Sequence, residues 1–170
     1  MKLTQIVFAT LFFSILSTKW TFAQSEAEKW MRNWEARADL ERIEDVYIPK
    51  DLAEAMSELD RLTDDSMAAV IALAPEGEIA SKLHFSLGRW MQLHWGLEEG
   101  SRLAAYLRSR GLSFPDDMID LLIRCWHRHL NGKPTEEEGL ITKYQERRRL
   151  EHRKRLEKTE RIVLPPRDKR

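Results

Sequence analysis

The sequence predicts an all-α protein: one small helical domain of about five helices, an N-terminal amphipathic arm and a long charged C-terminal helix. Three observations carry this. Residues 84–133 contain three successive helical patterns separated by clear stops. Leu52, Ala55, Met56, Leu59 and Leu62 repeat at i, i+3, i+4, i+7 and i+10, the spacing of one buried helix face. No stretch shows the apolar/polar alternation of a strand between turn signals. The globular part is long enough for one modest core.

From the start of the chain, Met1-Lys2 is followed by an apolar run over Ile6–Leu16, broken by Thr10 and Ser14. Thr21-Phe22-Ala23 then places small residues at the −3 and −1 positions before Gln24. This is the pattern of a secretory signal peptide over 1–23, and it predicts an exported protein, periplasmic or secreted. A signal anchor is the competing reading. No Cys follows the cleavage position, so lipid attachment there is not expected. The single cysteine, Cys125, leaves no internal disulfide framework and reads as a small buried hydrophobe.

The arm, residues 24–46, opens with the capping box Ser25-x-x-Glu28 and carries Ala27, Trp30, Met31, Trp34 and Ala38 on one side. Such a helix either docks on the domain or lies on another surface through Trp30 and Trp34. Ile48-Pro49 interrupts the chain, and Asp51-x-x-Glu54 opens the helix with the core face described above. Ser66–Leu73 is a short apolar helical segment ended by Ala74-Pro75-Glu76-Gly77.

About Ile79–Leu93 a stripe of Ile79, Leu83, Leu87, Trp90 and Met91 predicts the next helix, stopped by Trp95-Gly96. Gly88 inside it costs roughly 1 kcal/mol against Ala, so a close backbone approach by another element is expected there. Ser101 is a good N-cap for a helix through Leu103, Tyr106 and Leu107 that stops at Gly111. Pro115, Asp116 and Asp117 suit a helix N-terminus, and Asn131-Gly132 suits its end. On this helix Met118, Leu121, Leu122, Cys125, Trp126 and His129 fall on one side, and Asp120, Arg124, His127 and Arg128 on the other. His129 is thus expected in the core and His127 in solvent. Two histidines at i and i+2 cannot chelate one ion from the same face, and no metal site is predicted.

The order H-F-x-L-G-x-W at His84–Trp90, Trp95-Gly96-Leu97, Gly100-Ser101-Arg102-Leu103, Pro115-Asp116-Asp117-Met118 and H-R-x-L-N-G-K at His127–Lys133 resembles a bacterial domain family known only as a domain of unknown function. Y-I-P-K-D-L at Tyr47–Leu52 belongs to the same resemblance, which spans roughly Tyr47–Tyr144 and places the domain at 47–144. It implies no activity. Members of the family often have a histidine before Pro-Asp-Asp, where this chain has Phe114.

After the capping box Thr135-x-x-Glu138, Leu140, Ile141 and Tyr144 can still touch the domain. Residues 145–170 read as a basic helical tail projecting into solvent, so that a chain cut after Tyr144 is expected to fold. Residues 24–140 carry 14 basic and 23 acidic side chains, net −9, while 141–170 carry 12 and 5, net +7. That asymmetry concerns partners. An anionic membrane or glycan surface suits residues 141–170, through Arg147, Arg148 and Arg149 among others, whereas export argues against nucleic acid.

For chemistry there is no H-E-x-x-H, G-x-S-x-G, phosphate loop, C-x-x-C or calcium loop, and no cofactor is predicted. His84, Asp117 and His127 are the residues from which an acid–base pair could be built. Trp30, Trp34, Trp95 and Arg102 are candidate binding residues. The leading functional reading is a non-enzymatic interaction module of the bacterial cell envelope with an envelope protein as partner. The alternatives are a small hydrolase or lyase with a His/Asp site, and a binder of anionic envelope surfaces through the basic tail.

Overall fold

A computed structural model describes residues 28–160. The signal-peptide expectation for 1–23 and the last ten residues of the basic tail lie outside them. The architecture is all-α apart from one very short ribbon. Among the described residues no helix is long and apolar enough to cross a membrane.

Helix α1 covers residues 28–38. Strands β1 (Arg42–Ile43) and β2 (Val46–Tyr47) then pair antiparallel, with Arg42 opposite Tyr47 and Ile43 opposite Val46. The turn residues Glu44 and Asp45 both have positive φ, 48° and 64°, the geometry that suits the twist of a two-residue hairpin. Two residues per strand leave no window in which alternation can show, and Glu-Asp is not the usual Asn-Gly signal. The sequence therefore predicts no strand here, although a minimal one forms.

Helix α2 (Leu52–Leu62) begins at Asp51, whose carboxylate accepts from the Glu54 amide at 2.9 Å. Leu52, Ala55, Met56 and Leu59 are buried as expected, but Leu62, at the helix end, is exposed. Helix α3 (Asp65–Leu73) is capped by Asp64 in the same manner, with Ile71 as its one buried residue. Helix α4 (Glu76–Leu83) follows Pro75.

The single helix expected over Ile79–Leu93 is divided. After α4 comes one π-helical turn, His84–Gly88, and then α5, Arg89–His94. The predicted stripe still faces inward, with Ile79 and Met91 buried and Leu83, Leu87 and Trp90 packed against the core. The wide turn sits where Gly88 meets the helix that carries Ile119: a Cβ at Gly88 would lie 2.6 Å from Ile119 Cγ2. This is the close approach that the glycine implies. Gly88→Ala should lower stability by about 1–2 kcal/mol, because overpacking outweighs the gain in helix propensity. A urea midpoint higher than that of the wild type would show that Ile119 yields freely.

Helix α6 (Arg102–Ser109) starts at buried Ser101, whose hydroxyl accepts from the Ala104 amide at 3.1 Å. Helix α7 (Pro115–Leu130) runs through the middle of the molecule, with α2, α3, α4, the π turn, α5 and helix α8 (Glu137–Glu160) all packed on it. Being wrapped on most sides, α7 has no broad solvent face. Ile119 and Ile123 form a second buried row beside the expected one, and on the supposed polar side His127 is buried while Asp120, Arg124 and Arg128 are half-buried. Its Asp120 and Arg124 pair at 2.6 Å, and Arg124 Nη1 donates to the Glu76 carbonyl at 3.0 Å.

Two expectations are corrected at this point. His127 is buried and His129 is exposed, the reverse of the wheel, because the α3–α4 corner covers the side on which His127 lies. The chain beyond Tyr144 is also not wholly free of the domain. Helix α8 passes residue 145 without a break, and Arg147 and Arg148 reach back to Asp117 on α7.

Candidate functional site

The three residues proposed for acid–base chemistry do not meet. Asp117 and His127 are ten positions apart on α7, about 15 Å along the axis at ~1.5 Å per residue. Asp117 is buried to 2% side-chain exposure and is held by Arg148, with Nε and Nη2 at 2.7 and 2.9 Å, and by Arg147. His127 has its Nε2 2.9 Å from the Ala74 carbonyl. A carbonyl only accepts, so Nε2 carries the proton, and Nδ1 is buried without a partner among the described residues. His84 lies at the surface, 4.0 Å from Asp116.

The binding candidates separate in the same way. Trp34 packs on the domain, its ring against Gly100 and under the Arg108 guanidinium, while Arg37 Nε donates to the Gly100 carbonyl at 3.1 Å. The arm therefore docks, and Trp30 stays exposed. A Cβ at Gly100, where φ is +102°, would meet Trp34 Cδ1 at 2.3 Å, so the cradle needs a glycine. Trp95 cannot be a surface anchor: it is fully buried and stacks edge-on against Trp90. Arg102 binds within the chain, with Nε 2.6 Å from the Ile48 carbonyl and its guanidinium over the Tyr47 ring, so it ties α6 to the segment before α2. Arg148 also lies over Phe114, 4.1 Å from the ring centroid, and Arg149 is exposed. Cys125 is buried, which together with Glu137 pushes its thiol up to about 12, so it carries no thiolate at neutral pH.

One polar constellation was not legible beforehand. Asp60, in the last turn of α2, receives the Trp126 indole N–H on Oδ1 at 2.8 Å and faces His129 Nε2 with Oδ2 at 2.8 Å. The carboxylate accepts both, so it fixes the imidazole with Nδ1 turned elsewhere. His129 borders an open hollow of about 640 Å³ floored by Leu52, Ala53 and Met56, with Ser57, Tyr106 and Glu137 on its walls. Tyr106 donates to Glu137 at 3.0 Å, and burial and that carboxylate raise its hydroxyl to about 12. A histidine oriented by a carboxylate is one element of general-base chemistry, but the two hydroxyls of the hollow donate elsewhere, Ser57 to the Ala53 carbonyl and Tyr106 to Glu137. A faint signal existed in the sequence. Trp126 and His129 share a face at i, i+3, and a buried indole N–H usually has an acceptor. Nothing in the sequence says that the acceptor is Asp60, 66 residues earlier.

Residues 48–130 match a family model described as Domain of unknown function (DUF6794). The match lies within the span of the motif-based resemblance to an uncharacterised domain family. No curated protein matches the chain. No solved structure matches it either.

Proposed function

We propose that this chain, which carries the Domain of unknown function (DUF6794) over residues 48–130, is a non-enzymatic interaction module exported to the cell envelope, with an envelope protein as its partner. The observation that carries the reading is the outer side of α3. After Asp65 this helix has no charged residue, and Met67, Val70 and Leu73 follow one another at i, i+3 and i+6 on its solvent side. Leu73 is 86% exposed, and elsewhere on the surface Phe85, on the π turn, is 88% exposed. Helix α3 keeps one side on α7 and offers an uncharged one to a partner. The acid–base candidates support the same reading, since Asp117 and His127 are engaged in holding the fold.

A second reading, a small hydrolase or lyase, draws on the Trp126–Asp60–His129 chain beside its hollow. One experiment separates the two. Val70→Asp with Leu73→Asp should leave the melting temperature within a few degrees, because both side chains are already in water. It should also abolish cross-linking to the envelope partner and the cellular effect together. His129→Ala should leave both intact. Loss of the cellular effect in His129→Ala, with partner cross-linking preserved, would reject the module and favour the enzyme.

A further inference from the structure

We infer that α8 is a docking helix for an anionic phospholipid surface, a site distinct from the apolar side of α3. Lys143, Arg147, Leu150, Lys154 and Lys158 recur at i, i+4, i+7, i+11 and i+15, which places them in one row along the helix. All five are exposed. The row is about 22 Å long at ~1.5 Å per residue, and Glu146, Glu151 and Glu157 lie along its edges. It lies about a third of a turn from the side on which Ile141, Tyr144 and Arg148 pack against α7. The ion pairs of α8 among the described residues are made by Arg147, Arg148, Glu137, Glu138 and Glu151. Lys143, Lys154 and Lys158 make none of them.

The shape of this row selects the partner. It is a straight line of cations on a rod, with no neutral hydrogen-bonding side chain in it. Precise recognition of one acidic protein would call for matched carboxylates and a defined cleft, whereas a bilayer offers a flat, dense and mobile array of anions. Leu150, in the middle of the row and 50% exposed, can enter the boundary between headgroups and acyl chains. The long-range charge agrees: residues 24–140 are net −9 and residues 141–170 net +7, so an acidic membrane attracts the helix and repels the rest of the domain. The domain would then stand off the surface, held by α8 and Arg148.

The test uses the full chain with vesicles of phosphatidylcholine alone and of phosphatidylcholine mixed with phosphatidylglycerol. The wild type should sediment with the mixed vesicles in excess over the neutral ones, and the excess should fall as salt rises. Lys143→Glu, Lys154→Glu and Lys158→Glu together should weaken that excess by more than about tenfold. Arg149→Glu, Arg153→Glu and Arg155→Glu make the same change in net charge off the row and should weaken it no more than about threefold. All three chains share residues 1–23, so any contribution from that apolar segment cancels. Equal binding to both vesicles, equal loss in the two triple variants, or retention on heparin without vesicle binding would each overturn the proposal.

Discussion

Replacing Arg147 and Arg148 together by alanine should destabilise the domain by about 3–5 kcal/mol, the usual cost of leaving one member of a buried ion pair alone. The carboxylate of Asp117 is at 2% exposure, and the two guanidinium groups from α8 are its ion-pair partners among the described residues. The arginines are themselves a quarter to a half exposed, so losing them frees little buried charge. The cost arises almost entirely from Asp117, left buried and unpaired beside Leu112 and Phe114. Arg148 also covers Phe114, which adds a smaller loss. Adding Asp117→Asn to the double variant should recover part of the stability, since a neutral amide costs less to bury than an unpaired carboxylate. Chemical unfolding of the wild type, the double variant and the triple variant measures this directly. A loss below about 1 kcal/mol, with no recovery from Asp117→Asn, would mean that water reaches Asp117 and that the α7–α8 contact is superficial. The same reasoning replaces the expectation that a chain cut after Tyr144 folds unharmed, because the cut removes both arginines.

The second large effect concerns the two histidines at the end of α7. His127→Asp should cost several kcal/mol, because it sets an ionised carboxylate in a buried position facing the Ala74 carbonyl. His129→Asp should cost roughly 1 kcal/mol: the position is exposed, and the new carboxylate meets only the like charge of Asp60 at the surface. Thermal melts of the two variants decide between them. A larger loss at His129 would put the wheel expected from the sequence back in place; equal losses would fit neither placement, and either result contradicts the burial of His127.

The helical class and most helix starts were legible because they depend on neighbours in the chain. Asp51, Asp64 and Ser101 cap helices using amides three residues on, and Gly111 takes a positive φ of 96° where the sequence places a stop. The core face of α2 and the stripe of Ile79, Leu87 and Met91 follow from period alone. Gly88 announced a close approach, though not its partner Ile119. The split of one expected helix by a π turn was hidden, since that turn shifts the phase by one residue without any composition signal.

The sequence by itself thus determined an all-α class, where most helices begin, that Leu52, Ala55, Met56 and Leu59 of α2 face the core, and the charge contrast between residues 24–140 and 141–170. Tertiary structure alone decided the surroundings of each polar group. On α7, period separates residues by direction, but burial depends on how many neighbours arrive and from where. With helices packed on most sides of α7, Asp117 and His127 went into the interior and His129 came out to Asp60. The pairings Asp60–Trp126, Asp117–Arg148 and Trp34–Gly100 join residues 66, 31 and 66 positions apart. Local propensity extends over only a few residues, so contacts of that span are set by packing of the whole chain.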